Sequence, residues 1–137
     1  MNTTVNTHQA LIYVMVTMTA VDARIGDTEL QRIGRLVQTL PVFEGFDAER
    51  LTHVAQECGE ILQVDEGLNA VLGLVEQALP EHLRATAYAL AVEVAISDQK
   101  IWKEEVRFLA RLRDTLDLDK LTIAAIERAA TARYQKA

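Results

Sequence analysis

The chain is poor in what punctuates β structure and in what staples a small fold. Only 2 Pro and 6 Gly occur in 137 residues, and aromatics make up 5%. The turn chemistry that many short strands require is therefore scarce. One cysteine, Cys58, excludes an intrachain disulfide and any cysteine-based zinc cluster, and fits a reducing cytoplasm. The opening MNTTVNTHQ carries no Lys or Arg, so the charged start of a secretory signal is missing. The apolar run Ala10 to Val21 spans 12 residues, whereas about 20 are needed to cross a bilayer. It reads as a helix buried on nearly all sides, and no membrane span is expected.

Positive charge is in deficit as well. There are 14 Lys+Arg against 20 Asp+Glu, a formal net charge of −6, which repels a phosphate backbone, so nucleic acid is not expected as a partner. No glycine-rich phosphate loop of either common type occurs. His8, His53 and His82 are scattered, without i,i+4 pairing or a neighbouring Cys, and read as surface or boundary residues rather than ligands. Cys58 has no sequence neighbour that would lower its pKa, so it reads as a buried thiol and not a nucleophile.

What remains is helical periodicity over almost the whole length. Half the residues are hydrophobic, and 137 residues suffice for one domain with a sizeable core. Leu11, Val14, Met15, Met18 and Val21 predict a first helix from about Thr7 to Ala23. Leu30, Ile33, Leu36, Val37 and Leu40 predict a second, with Gly26 or Asp27 as N-cap and Pro41 as stop. After a loop at 41–46, Asp47 caps a third helix ending near Gly59 and Asp65 caps a fourth, carrying Leu68, Val71, Leu72 and Val75. Pro80 and Glu81 open a fifth, again nearly continuous in apolar character. Val106, Leu109, Leu112 and Leu116 mark a sixth, and Asp119 caps a seventh carrying Leu121, Ile123, Ala124, Ile126 and Ala130. The expected fold is all-α: one domain over 1–137, a compact bundle of about seven helices.

The bundle contains an internal echo. VDARIGDTEL (21–30) and SDQKIWKEEV (97–106) align at a fixed offset of 76 residues, placing Asp22, Arg24, Ile25 and Glu29 on Asp98, Lys100, Ile101 and Glu105. The correspondence continues from Leu30, Ile33, Leu36 and Leu40 to Val106, Leu109, Leu112 and Leu116, so helices 1 and 2 form one pseudo-repeated hairpin and helices 5 and 6 the other. Packing the two apolar first helices together around an approximate twofold would bring the motif loops close; the alternative puts the loops at opposite ends.

Glu29 and Glu105 fall in first helical turns, where free N–H groups and the macrodipole favour a carboxylate by about 0.3–1 kcal/mol. Asp22 and Asp98 fall at helix C-terminal ends, where the same dipole disfavours them. Two compensations stay open. Each Asp accepts backbone N–H bonds in its turn or pairs with Arg24 and Lys100. Otherwise Asp22, Glu29, Asp98 and Glu105 converge on a divalent cation, with calcium, magnesium or manganese preferred to zinc by an all-oxygen set. Met18 and Ala20, like Val94 and Ile96, stand where an EF-hand loop would carry its earlier ligands, so the motif is not that loop.

The pattern helix, AxDxxI, three residues, Glu, helix, present in two copies of which the second has Ile96 at the Ala position, resembles the TerB family of tellurite-resistance-associated proteins, which includes the N-terminal domain of a membrane-anchored DnaJ-type co-chaperone. The resemblance covers about Ala10 to Ala130, with Ala23 and Gln99 standing where the family carries Gly. It implies a seven-helix bundle, an acidic surface for a metal or a protein partner, association with a membrane-bound complex, and a role in response to toxic oxyanions. The functional expectations are, in order, a non-catalytic cytoplasmic stress-response module, a purely protein-binding adaptor whose acids only cap helices, and a metal-assisted enzyme using paired carboxylates. Trp102 reads as a plug over its hairpin, and Arg107, Arg111, Arg128, Arg133 and Lys136 as solvated helix faces.

Overall fold

The computed structural model describes residues 5–20, 26–97 and 103–137. Asp22, Arg24, Ile25, Asp98, Lys100, Ile101 and Trp102 lie outside the described residues. Among the described residues the chain forms seven α-helices and no strand: α1 Thr7–Ala20, α2 Asp27–Thr39, α3 Leu51–Gln63, α4 Gly67–Ala78, α5 Arg84–Ser97, α6 Lys103–Leu116 and α7 Lys120–Arg133. None of them is long and apolar enough to cross a membrane.

Local chemistry sets most of the boundaries. Asn6 and Gln9 close a reciprocal capping box at the start of α1: the Gln9 N–H donates to Asn6 Oδ1 at 2.8 Å and the Asn6 N–H to Gln9 Oε1 at 2.9 Å. Gly26 is the extended N-cap of α2, and Leu40 ends that helix before a 3-10 turn, Pro41–Phe43. The expected 41–46 loop is anchored rather than loose. Phe43 is buried, the His8 ring donates from Nε2 to the Val42 carbonyl at 2.9 Å, and the same ring lies tilted against Phe43 and edge-to-face with Phe46. Asp47 accepts from the Glu49 N–H in the 3-10 turn that feeds α3, and Asp119 accepts from the Thr122 N–H at the start of α7.

Two expected boundaries are corrected. Helix α3 does not stop near Gly59; it continues to Gln63. The residue entering α4 is Glu66, in the left-handed region at φ 61°, rather than Asp65. The cause is the close packing of the α3–α4 turn: a Cβ on Gly67 would stand 2.3 Å from the Ile61 carbonyl oxygen. Only glycine lets the chain reverse so close to the end of α3.

Helix α1 is the axis of the molecule. Every residue from Ala10 to Met18 is buried, and α1 packs against α3, α4 and α5, with lesser contacts to α2 and α6. Helix α5 is its counterpart, lying against α1 on one side and α6 and α7 on others. The two apolar helices therefore meet, as the pseudo-repeat predicts. The outer helices differ from expectation in two places. Val106 is 54% exposed and Leu121 78% exposed. In α6 Leu112 and Leu116 are buried as the echo with α2 predicts, but the first turns are rolled by one position, so that Glu105 and Phe108 take the buried places expected for Val106 and Leu109. Helix α7 buries only Ala130 fully, packs Ile123 and Ile126 part-buried against the core, and is tied down by polar contacts besides. Tyr88 donates to Glu127, Arg113 Nη1 lies 3.1 Å from both, and Glu93 receives the Tyr134 hydroxyl and Arg133 Nη2, the latter at 2.5 Å.

Two helix glycines give opposite expectations. Gly67→Ala should cost about 1–3 kcal/mol, because its methyl group forces the Ile61 carbonyl aside. Gly59→Ala should stabilise by roughly 0.5–1 kcal/mol, since its Cβ meets nothing within 4 Å and α3 gains helix propensity. Urea midpoints of the two variants check both signs.

Candidate functional site

The two hairpins present their helix starts differently. In α2, Glu29 at the third helical position turns back so that the Gly26 N–H donates to Oε1 at 3.3 Å, while Asp27 stays exposed. That is one half of a capping box; glycine supplies no side chain for the other half. In α6, Glu104 is exposed but Glu105 is only 4% exposed. Glu105 and Thr17 are the buried polar or charged side chains among the described residues. Glu105 occupies the third position of α6, as Glu29 does in α2, but at a depth where an ionised group requires compensating partners.

The flanks of both motif loops open onto one groove of about 940 Å³. Ala20 from the end of α1, Gly26, Asp27 and Leu30 from α2, and Glu104, Arg107, Phe108 and Arg111 from α6 line it. Helix α3 contributes Ala55 and Gly59 among others, and α4 adds Leu68. The segment before the first loop and the segments after both loops thus share one cavity. Of the four predicted ligands, Glu29 and Glu105 stand at the starts of α2 and α6 without lining the groove, whose acidic lining residues are Asp27, Glu60 and Glu104, whereas Asp22 and Asp98 lie outside the described residues. Among the described residues no group of three or more His, Cys, Asp or Glu could hold a metal ion. The donor chemistry of the predicted set, carboxylate oxygen throughout, fits a hard divalent cation.

A family model described as tellurite resistance protein TerB matches residues 8–128. The chain belongs to the TerB family. No curated protein and no solved structure matches it. The TerB match runs from the first turn of α1 into α7 and includes both hairpins and all the groove residues. It stops short of Arg133 and Tyr134, the pair that ties the end of α7 to Glu93.

The remaining candidates resolve into structural roles. His8 joins the start of α1 to the Pro41–Phe43 turn, His53 sits 3.4 Å from Glu57 on an exposed face of α3, and His82 is exposed. Cys58 lies in the core, 3.5 Å from the Thr17 hydroxyl and donating to the Tyr13 carbonyl at 3.8 Å. Burial pushes its thiol up to about 11, the opposite of what a nucleophile requires. Arg133 is not a free face residue, since it pairs with Glu93. Sequence reasoning missed the groove itself. Its one local signal is the small pair Ala55 and Gly59, one turn apart inside α3, of which Gly59 reads from sequence as a helix end.

Burial also pushes the Tyr13 and Tyr88 hydroxyls up to about 12, with the Glu57 charge adding to the effect at Tyr13 and the hydrogen bond to Glu127 at Tyr88. Each of these groups is held protonated by the fold. Their contribution to stability is complete below their ordinary values, 9.0 for the thiol and 10.0 for the phenols, and is lost as pH rises towards the folded values. Urea midpoints should accordingly be level up to pH 9 and fall between pH 9 and 12. Cys58→Ala should remove the earliest part of the fall; an unchanged profile in that variant would show the thiol does not contribute.

Proposed function

We propose that this TerB-family chain is a non-catalytic module of the cellular response to tellurite and related chemical stress. It binds a divalent cation between its two hairpin loops and presents that end of the bundle to a protein partner. The observation that carries the reading is the groove, lined by Gly26 and Asp27 at the start of α2 and by Glu104 at the start of α6, with the next residue of α6, Glu105, buried. Asp22, Glu29, Asp98 and Glu105 would hold the ion. Its charge would compensate carboxylates that otherwise repel one another and would lock the two hairpins in register. A non-catalytic role is supported by the side chains available: the thiol is buried and protonated, and the histidines serve packing or lie apart. A lone thiol and an acidic net charge are in keeping with a cytoplasmic setting, and the family resemblance with docking to a membrane-bound complex.

The second reading, a protein-binding adaptor whose acids only cap helices, is favoured by one observation, the Gly26 N–H donated to Glu29. Calorimetric titration of metal-stripped protein separates the two. Wild type should bind calcium, magnesium or manganese saturably, with Trp102 fluorescence reporting the event beside the second loop. Asp22→Asn and Asp98→Asn should each weaken binding roughly tenfold or more, as loss of a charged ligand does. Equal affinity in the variants, or no saturable binding by any ion, would leave the capping reading and remove the cation.

A further inference from the structure

The groove beside the loops has features that an ion does not explain. Its rim residues Thr52, Gln56, Glu60 and Gln63 on α3, and Arg107 and Arg111 on α6, are all exposed, whereas Ala55 and Phe108 beneath them are buried. It is therefore an apolar trough between polar walls, not a closed chamber. The α3 wall from Thr52 to Gln63 extends about 16 Å at the helical rise, or about three turns. The volume, about 940 Å³, lies at the top of the roughly 300–1,000 Å³ typical of small-molecule pockets.

The floor is kept low. Gly59 sits inside α3, faces this groove, and has open space where a Cβ would stand. A glycine inside a helix weakens the helix, and no neighbour within the fold requires it here. With Ala55 one turn before it, it lets a second backbone approach α3 closely, because interaxial distance is set by the side chains at the contact. The walls differ in charge. Glu104, Arg107 and Arg111 line the α6 wall, the two arginines one turn apart with Arg111 also donating to Asn69 Oδ1, so that wall carries a net positive charge beyond its acidic first turn, where Asp27 of α2 adjoins it; across the trough α3 offers Glu60 between two glutamines. We propose that the groove is the docking site for an amphipathic helix of a partner protein. Its apolar stripe would lie along Ala55 and Gly59, with acidic residues on the α6 flank and basic residues on the α3 flank. The inference rests on the partner-binding half of the proposed function and not on the cation.

Chelator-treated full-length chain is titrated against two fluorescein-labelled helical peptides of about 14 residues, read by anisotropy. Both carry the same leucine and alanine stripe; one has a Glu flank and a Lys flank, the other Lys on both flanks. The mixed peptide should bind saturably and roughly tenfold tighter than the all-Lys peptide. Gly59→Phe, which fills the trough, and Arg107→Glu should each weaken the mixed peptide roughly tenfold or more, while retaining the unfolding midpoint of a folded chain. Equal affinity for both peptides, or wild-type binding by Gly59→Phe, would overturn the proposal. So would self-association of the wild type that Gly59→Phe abolishes, which assigns the trough to a second copy. Failure of the peptides beside a normal cation titration removes the helix site alone; the reverse result removes the cation alone.

Discussion

The complete burial of α1 is the constraint on which the rest depends. A helix with apolar side chains on every face cannot lie on a surface, so its neighbours must enclose it. Helices α3, α4 and α5 do so along most of its length, and α2 and α6 complete the cover. Each large side chain withdrawn from water, such as Leu11, Ile12, Met15 or Met18, contributes about 1.5–3 kcal/mol before the opposing chain entropy is counted. Thr17, the one polar buried residue of α1, is accommodated by the Cys58 sulfur, so even its hydroxyl has a partner inside the core. Enclosing the helix fixes where the chain can leave it, and the end of α1 emerges at the groove.

Helix α5 repeats this logic with less cover, and the difference breaks the symmetry. Helix α2 turns Ile33 and Val37 inward, whereas α6 turns Glu105, Phe108, Leu112 and Leu116. The one-position roll exposes Val106 and draws a carboxylate into the stripe that an apolar residue would otherwise head. Its place in the first turn of α6 offsets part of the burial, because the free N–H groups and dipole at a helix start favour negative charge. The two glutamates of the repeat are consequently unequal. Glu29 closes a turn at a half-buried boundary, and Glu105 is part of the interior.

Much of this was legible in the sequence because it is local. The caps Gly26, Asp47 and Asp119, the all-round apolar character of α1 and α5, and the hairpin repeat follow from residue type and spacing. What was not legible depends on distant packing. The end of α3 and the entry to α4 are decided by Gly67 against the Ile61 carbonyl, a contact that exists only once the turn has closed. The exposure of Val106 and Leu121 depends on how α6 and α7 roll on α5, which periodicity leaves undetermined. Helix α7 could be read as amphipathic from its apolar positions, yet its attachment also runs through Tyr88, Arg113 and Glu127 and through Glu93 with Arg133 and Tyr134. Polar clusters drawn from three helices leave no periodic trace.

The groove is the clearest case of a feature that sequence patterns hide, because five helices meet there and none announces it. It also differs energetically from the core. The interior around α1 is filled, and at Gly67 even a methyl group is excluded. At Gly59 the fold leaves space unfilled and accepts a residue that weakens its helix by about 1 kcal/mol relative to alanine. Gly73 inside α4 is a second such concession, away from the groove, but at Gly59 the open space adjoins an apolar trough. Concessions of this kind are expected where a surface is kept for a partner rather than for the fold.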